Sequence, residues 1–290
     1  MGRAHGVPVI APATSAVPAG SAGLGKRLLS SVLLLPLFVW IVVWGPAWAF
    51  TALVIGVGAI GQWEFSRMFR RADVAGASGL GLVAGTAVTA SFAFPEALPP
   101  VLTGAVMAVL VGALARGGRD IARAWAGAAV TVLGIGYVNL LLGHALWLHG
   151  LPDGVSWVLL LVLVTWVGET AAYVVGSTMG RHPLAPVVSP RKTIEGAVAQ
   201  LLVSPLAAAA ASAWLFPERR LVDAVALGVL LGVAGQVGDL VESLLKRSVG
   251  AKDTGQMLPG HGGMLDRIDG LLFNAPVLFY YVWATRGLHA

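Results

Sequence analysis

Long apolar runs, separated by short charged ones, set the rhythm of this chain. Beyond Arg27 the apolar stretches fall at about 28–45, 47–66, 77–95, 99–115, 126–148, 155–176, 197–216, 221–240 and 270–286. Each is close to the roughly 17–25 residues that a helix needs to cross bilayer hydrocarbon. A spanning segment must satisfy its backbone hydrogen bonds internally, and a helix is the only open-ended way to do so. The pattern predicts an all-α, polytopic integral membrane protein with about nine transmembrane helices. The charged loops, not the apolar pattern, place an expected catalytic cavity at its cytoplasmic face. Residues 1–25 are different. Ala, Pro, Gly and Ser dominate them, and prolines at 8, 12 and 18 interrupt any apolar core, so a disordered tail is expected rather than a signal peptide. Residues 26–150 then make an N-terminal region of about five transmembrane helices. Residues 151–290 make a C-terminal region with cytoplasmic loops 177–196 and 241–270, where the chemistry is expected.

Within the apolar stretches, two polar stripes stand out. Asp239, Glu242, Ser243 and Lys246 are spaced i, i+3, i+4, i+7 and share one helix face. Thr165, Glu169 and Tyr173 follow i, i+4, i+8, beside a small-residue seam of Gly168, Ala172 and Gly176 suited to close helix packing. The sixth and eighth stretches are expected to pack with these stripes sharing a cavity. A carboxylate inside a membrane is costly and marks a functional candidate. Other polar residues are read more plainly. Glu64 is expected to pair with Arg67 at i, i+3. His144 and His149 are expected at the outer interface, and Asn139 in a helix–helix hydrogen bond.

Composition sharpens the class. Hydrophobic residues make up 57% of the 290 and charged ones only 11%, against about 25% in a soluble domain. With no cysteine, disulfides, thiolate metal sites and cysteine nucleophiles are excluded. Charge placement gives orientation. With the N-terminus in the cytoplasm, every Lys and Arg except Arg219, Arg220 and Arg286 falls on the cytoplasmic side, as the positive-inside rule requires. The expected location is the cell (inner) membrane. "GSAGLGK" at 20–26 has the spacing of a phosphate-binding loop, but Arg27 follows where Ser or Thr would hold magnesium, and no strand precedes it.

The two loops carry the candidate chemistry. "KDTGQMLPGHGGMLDRID", Lys252 to Asp269, has glycines at 255, 260, 262 and 263 that allow φ > 0 and close approach of backbone N–H groups to an anion. Lys246, Arg247, Lys252 and Arg267 offer cationic donors for phosphate. Asp239, Asp253, Asp266 and Asp269 offer the hard oxygens that Mg²⁺ prefers. "SPRKT", Ser189 to Thr193, sets Arg191 and Lys192 between two hydroxyls, and Pro190 biases Ser189 toward extended backbone. Carboxylates beside fixed cations suit a metal-bound polyphosphate. An ion-transport pathway and a structural loop stay open on these residues alone, although transport favours charges spread through the membrane depth, and here they gather at one face.

The run "SLLKRSVGAKDTGQMLPGHGGMLDRID", Ser243 to Asp269, resembles the signature of the phosphatidate cytidylyltransferase (CDP-diacylglycerol synthase) family, and matches its constrained positions throughout. "GDLVES" upstream and "SPRKTIEG" are also similar to that family. One position departs: "ETAAY" places Glu169 where the family usually has Asp, one methylene shorter. The resemblance implies an Mg²⁺-dependent enzyme of phospholipid biosynthesis that joins CTP and phosphatidic acid, giving CDP-diacylglycerol and pyrophosphate, with no nucleic acid polymer as partner. It implies a metal on Asp239 and Asp266, with Asp253 and Asp269 close behind, and phosphates on Lys246, Arg247, Lys252 and Arg267. Ser189, Arg191, Lys192 and Thr193 would receive a substrate phosphate, and Glu169, Tyr173, Ser243, Gly262 and Gly263 would line the substrate site. His261 would touch the leaving pyrophosphate or order the glycine loop. A second cation such as K⁺ and a homodimer are also implied. The competing classes are a transporter or channel with buried carboxylates and another lipid-phosphate enzyme, such as a polyprenol kinase.

Overall fold

The computed structural model describes residues 35–72, 78–118, 120–255 and 262–285. The expected tail, the 20–26 glycine motif, His261, Arg119 and Arg286 lie outside them. The described residues form α1 (35–43), α2 (Ala47–Arg71), α3 (Ser78–Ser91), a 3₁₀ turn (Pro95–Ala97), α4 (Leu98–Arg116) and α5 (Ile121–Gly134). A π-helical turn (Ile135–Leu140) leads into α6 (Leu141–His149). Then come α7 (Gly154–Met179), strands β1 (Pro183–Ala185) and β2 (Ser189–Thr193), α8 (Ile194–Leu215), α9 (Leu221–Ser248) and α10 (Leu265–Thr285).

The protein is an α-helical, polytopic membrane protein. Among the described residues, six helical segments are long and apolar enough to cross a bilayer: Ala47–Arg71, Pro95–Arg116, Ile121–His149, Gly154–Met179, Ile194–Leu215 and Leu221–Ser248. The other expected stretches differ in kind. The 77–95 stretch yields only the 14-residue α3. The last stretch begins earlier than its apolar run suggests, because α10 opens at Leu265 and takes Asp266 and Asp269 into the helix. Loop 177–196 holds an antiparallel hairpin, pairing Pro183 with Thr193 and Ala185 with Ser189, where only loop was expected. Extended backbone before Pro190 and a two-sided polar sequence favour that pairing.

Local signals set several helix ends. Asp120 caps α5, accepting from the Arg123 N–H at 2.9 Å. Thr193 caps α8, its Oγ1 accepting from the Gly196 N–H at 3.2 Å. Such caps satisfy donors that a helix start leaves without intrahelical partners. Arg70 and Arg71 close α2, complementing the negative end of its dipole.

Tertiary packing centres on α10, whose Leu265, Leu272 and Leu278 are fully buried against α9, α7, α6 and α2. Asn139 donates to Thr89 Oγ1 at 3.0 Å, linking the π turn to α3 as expected. His144 departs from the expected interfacial place. It is buried among Phe92, Trp147 and Phe279, with Nδ1 2.9 Å from the Leu140 carbonyl and Nε2 3.3 Å from the Tyr280 hydroxyl. The aromatic neighbours, the Leu140 carbonyl and the Tyr280 hydroxyl give its ring both apolar and polar contacts inside the bundle.

Helices α8 and α9 approach closely where Gly228 meets Pro205. A Cβ on Gly228 would strike the Pro205 backbone and stand 2.7 Å from the Ser204 carbonyl oxygen. Gly56 on α2 has open space in the same direction. Gly228→Val is expected to destabilise the chain by about 1–3 kcal/mol, the scale of core over-packing, and Gly56→Ala to leave it unchanged or slightly more stable. Thermal unfolding in detergent checks the pair.

Candidate active site

Helix α9 carries the first half of the site. Asp239, Glu242, Ser243 and Lys246 share its inward face, as their spacing requires. Helix α10 supplies Asp266 and, nearly one turn later, Asp269. The two helices meet so that carboxylate oxygens of Asp239, Glu242 and Asp269 all lie within 4.8 Å of one another. Glu242 and Asp269 are both buried. Glu242 Oε1 has no hydrogen-bond partner among the described residues. Three carboxylates so close, one with a bare buried oxygen, repel one another unless a cation joins them. Hard oxygens in this number suit a divalent ion such as Mg²⁺.

Fixed cations surround the cluster. Lys192 reaches from β2 to Asp239 at 2.6 Å and donates to Ser243 Oγ at 3.3 Å. Lys246 donates to Glu242 on its own helix and to Asp266 Oδ1 at 2.8 Å, joining α9 to α10. Asp266 Oδ2 accepts from the Thr254 N–H at 3.1 Å, the Thr254 hydroxyl at 2.8 Å and the Gly263 N–H at 3.2 Å. Each Asp266 oxygen thus accepts from a protein donor, and Asp266 joins the cluster through Lys246 rather than as one of the three carboxylates within 4.8 Å. Asp266 lies ahead of the apolar run of α10. Burial pushes its carboxyl up, but the hydrogen bond and charge of Lys246, with the two bonds from Thr254, hold it below the usual carboxylate range.

The hairpin reaches the cluster through one side chain. Arg191 is exposed, Ser189 is half-buried, and Thr193 is spent on the α8 cap. Glu195 anchors the hairpin, accepting from the Arg181 N–H at 3.1 Å and the His182 N–H at 3.3 Å, with His182 Nδ1 at 2.6 Å. Arg247 donates to the Val188 carbonyl at 3.2 Å and the Ala251 carbonyl at 3.1 Å, so it ties the hairpin to the segment after α9. Lys252 and Asp253 are exposed. Gly262 holds φ +84°, a conformation that favours glycine. His261 lies outside the described residues.

Glu169 comes from α7 and packs on the α10 backbone. A Cβ at Gly270 would collide with Glu169 Oε1, so glycine there admits the longer carboxylate beside Asp269. Asn274 donates to Thr165 Oγ1 at 2.8 Å one turn deeper, so the α7 stripe faces α10 as well as α9. Tyr173 is 76% exposed and is not one of the clustered groups, but with Glu169 it lines an apolar cavity of about 840 Å³ that opens beside them. Glu169, Asp266 and Arg267 line its polar end, and Phe38, Val54 and Leu142 line its length.

One residue enters the site unannounced. Glu64 was expected to pair with Arg67, but Arg67 sits over the Trp63 ring at 5.1 Å. Glu64 is fully buried and points the other way. Its Oε2 accepts from the Leu265 N–H at 2.9 Å and lies 3.4 Å from the Thr254 hydroxyl. The stacking of Arg67 on an adjacent aromatic ring competes with the ion pair. The signal available in the sequence was the carboxylate itself, within a spanning stretch.

Fold and site together define a polytopic α-helical membrane protein with an internal carboxylate cluster, and beside it an apolar cavity whose polar end is lined by Glu169, Asp266 and Arg267. Residues 25–285 match the model of the Cytidylyltransferase family, and the chain belongs to that family. It is 42% identical over 146 residues to "Uncharacterized protein YnbB" of Escherichia coli (strain K12), covering 49% of each chain. It is 38% identical over 151 residues to a phosphatidate cytidylyltransferase of Staphylococcus haemolyticus (strain JCSC1435), covering 52% of this chain and 57% of that one. It is 40% identical over 156 residues to the phosphatidate cytidylyltransferase of Staphylococcus aureus (strain COL), with the same coverage. The chain spans about half the length of the curated relatives it matches.

Removing the cation of a buried ion pair leaves its partners uncompensated. Lys246→Met is expected to destabilise the chain by about 3–5 kcal/mol, and a second change, Glu242→Gln, to restore part of the loss. Thermal unfolding of the three variants in detergent checks this.

Proposed function

We propose that the chain transfers a cytidylyl group from CTP to phosphatidic acid, giving CDP-diacylglycerol and pyrophosphate for phospholipid biosynthesis. One observation carries the reading. Glu169, which packs beside Asp269, and Asp266, which holds Lys246, line the polar end of an apolar cavity, where a lipid phosphate could lie next to the carboxylates and lysines that a soluble nucleotide would meet. Family membership and the names of its relatives support the same activity.

In this reading a phosphate oxygen of phosphatidic acid attacks the α-phosphorus of CTP. A new P–O bond forms, the bond to the β-phosphate oxygen breaks, and pyrophosphate leaves in line. The attacker is already an anion, so positioning and charge neutralisation matter more than a general base. Arg267, at the polar end of the cavity, would receive the lipid phosphate while the acyl chains lie along the apolar walls. Lys192 and Lys246 would exchange their carboxylate partners for nucleotide phosphates, with Arg191, Lys252 and Ser189 at the rim. A divalent cation such as Mg²⁺ would be held by Asp239, Glu242 and Asp269, and would neutralise charge on the phosphates. Asp266, expected beside Asp239 from the signature, holds Lys246 through Oδ1, and the remaining lone pair of that oxygen could still be offered to the same cation. The distribution of Lys and Arg supports a cytoplasmic site in the inner membrane. A homodimer and a second cation such as K⁺ belong to the same proposal on the resemblance alone.

Purified protein in detergent micelles, given labelled CTP, phosphatidic acid and Mg²⁺, is expected to form CDP-diacylglycerol, and to form none with ATP or after chelation. Asp239→Asn is expected to lower kcat at least about 100-fold, the scale of losing one charge-stabilising group, and to weaken Mn²⁺ binding seen by paramagnetic resonance. Phosphorylation of a polyprenol by ATP would instead mark a kinase. Product from Glu169→Asp alone would mean that Glu169 disables this chain.

A further inference from the structure

We infer that Glu64 is the positioning residue that sets the signature segment against the carboxylate cluster. It stands on α2, in the half of the chain that carries none of the signature. The inference rests on the cytidylyl-transfer reading for its kinetic test, though not for its structural one.

Glu64 is wholly buried, and both polar partners of its Oε2, Thr254 and Leu265, lie in the signature segment. Leu265 opens α10, and its N–H is among those that a helix start leaves without an intrahelical partner. Glu64 Oε2 takes that N–H at 2.9 Å from across the bundle. Its carboxylate also faces the positive end of the α10 dipole. The next residue of α10 is Asp266, and Asp269 follows within the same turn. Fixing the Leu265 amide therefore fixes the height and rotation at which both aspartates meet α9.

Thr254 extends the hold to the other side of the segment. Its hydroxyl has one proton, and the shorter contact, 2.8 Å, is to Asp266 Oδ2. The Thr254 hydroxyl also lies 3.4 Å from Glu64 Oε2, so it is wedged between the two carboxylates. Asp266 in turn holds Lys246, and Lys246 holds Glu242. A continuous chain of polar contacts thus runs from α2 to the converging carboxylates.

Two signature glycines fit this account. A Cβ on Gly263 would stand 2.8 Å from Glu64 Oε2 and 2.9 Å from Asp266 Oδ2. A Cβ on Gly255 would run into the Glu64 carboxyl, 2.9 Å from its Cδ. Both glycines let the backbone close onto Glu64, a role distinct from the approach to phosphate that their spacing suggested.

Full-length protein is assayed with CTP, phosphatidic acid and Mg²⁺, and amide exchange is followed by mass spectrometry. Glu64→Ala is expected to lower kcat about 100-fold, the scale of a group misplaced by about 1 Å, while KM for CTP changes little. It is expected to speed exchange at the Leu265 and Gly263 amides above the rest of α10. Glu64→Gln keeps a carbonyl acceptor and is expected to recover most of the lost kcat. Glu64→Ala and Thr254→Val combined are expected to lose no more than the larger single change, because both act through Asp266. Native kcat with unchanged exchange in Glu64→Ala overturns the inference, as does a change in KM alone. Should Glu64→Ala fail to fold, the cycle is run with Glu64→Gln, and simple multiplication of the two losses overturns it. If the native chain forms no CDP-diacylglycerol, the proposed activity fails by itself. Faster Leu265 exchange in Glu64→Ala then still supports the positioning role, and unchanged exchange ends it.

Discussion

The structure depends on Lys246. A helical bundle in a membrane can bury several carboxylates only if each finds a cation or a strong donor, because an unpaired buried charge is worth several kcal/mol of instability. Lys246 meets that demand twice, for Glu242 on α9 and for Asp266 on α10. It therefore fixes how two polar helices pack, and with that the spacing of the carboxylates. Lys192 does the same from the hairpin, through Asp239. The same lysines are well placed to trade carboxylate for phosphate, so the contacts that stabilise the site are of the kind that a polyanion would replace.

The site joins two solvents. Its carboxylates and lysines come from α9, the start of α10 and the hairpin, and the apolar cavity beside them is lined from α1, α2, α6, α7 and α10. A reaction between a soluble nucleotide and a lipid phosphate needs this juxtaposition, since neither reactant enters the other's phase. The glycines serve the same end in different ways. Gly270 admits Glu169 next to Asp269, and Gly263 admits the crowding of Thr254, Glu64 and Asp266.

Much of the site was legible along the chain. The spacing of Asp239, Glu242, Ser243 and Lys246 places them on one face of α9 whatever the tertiary structure, and the α7 stripe follows the same rule. Other features were not legible. Arg247 looked like a phosphate ligand by charge, yet its guanidinium braces two loop carbonyls. Glu64 looked like half of an i, i+3 ion pair, yet its partners lie about two hundred positions along the chain.

By itself the sequence determined the class, the helical stretches and the inventory of charge, because hydrophobic length and helical periodicity are local properties that survive any packing. Only the tertiary structure decided which carboxylates converge. Asp266 and Asp269 both precede the last apolar run, but the rotation of α10 sends Asp269 to Asp239 and Glu242 and gives Asp266 to Lys246 and Thr254. That rotation is set by contacts between distant segments, Leu265 with Glu64 and Asn274 with Thr165, and no local pattern encodes the angle at which two helices meet.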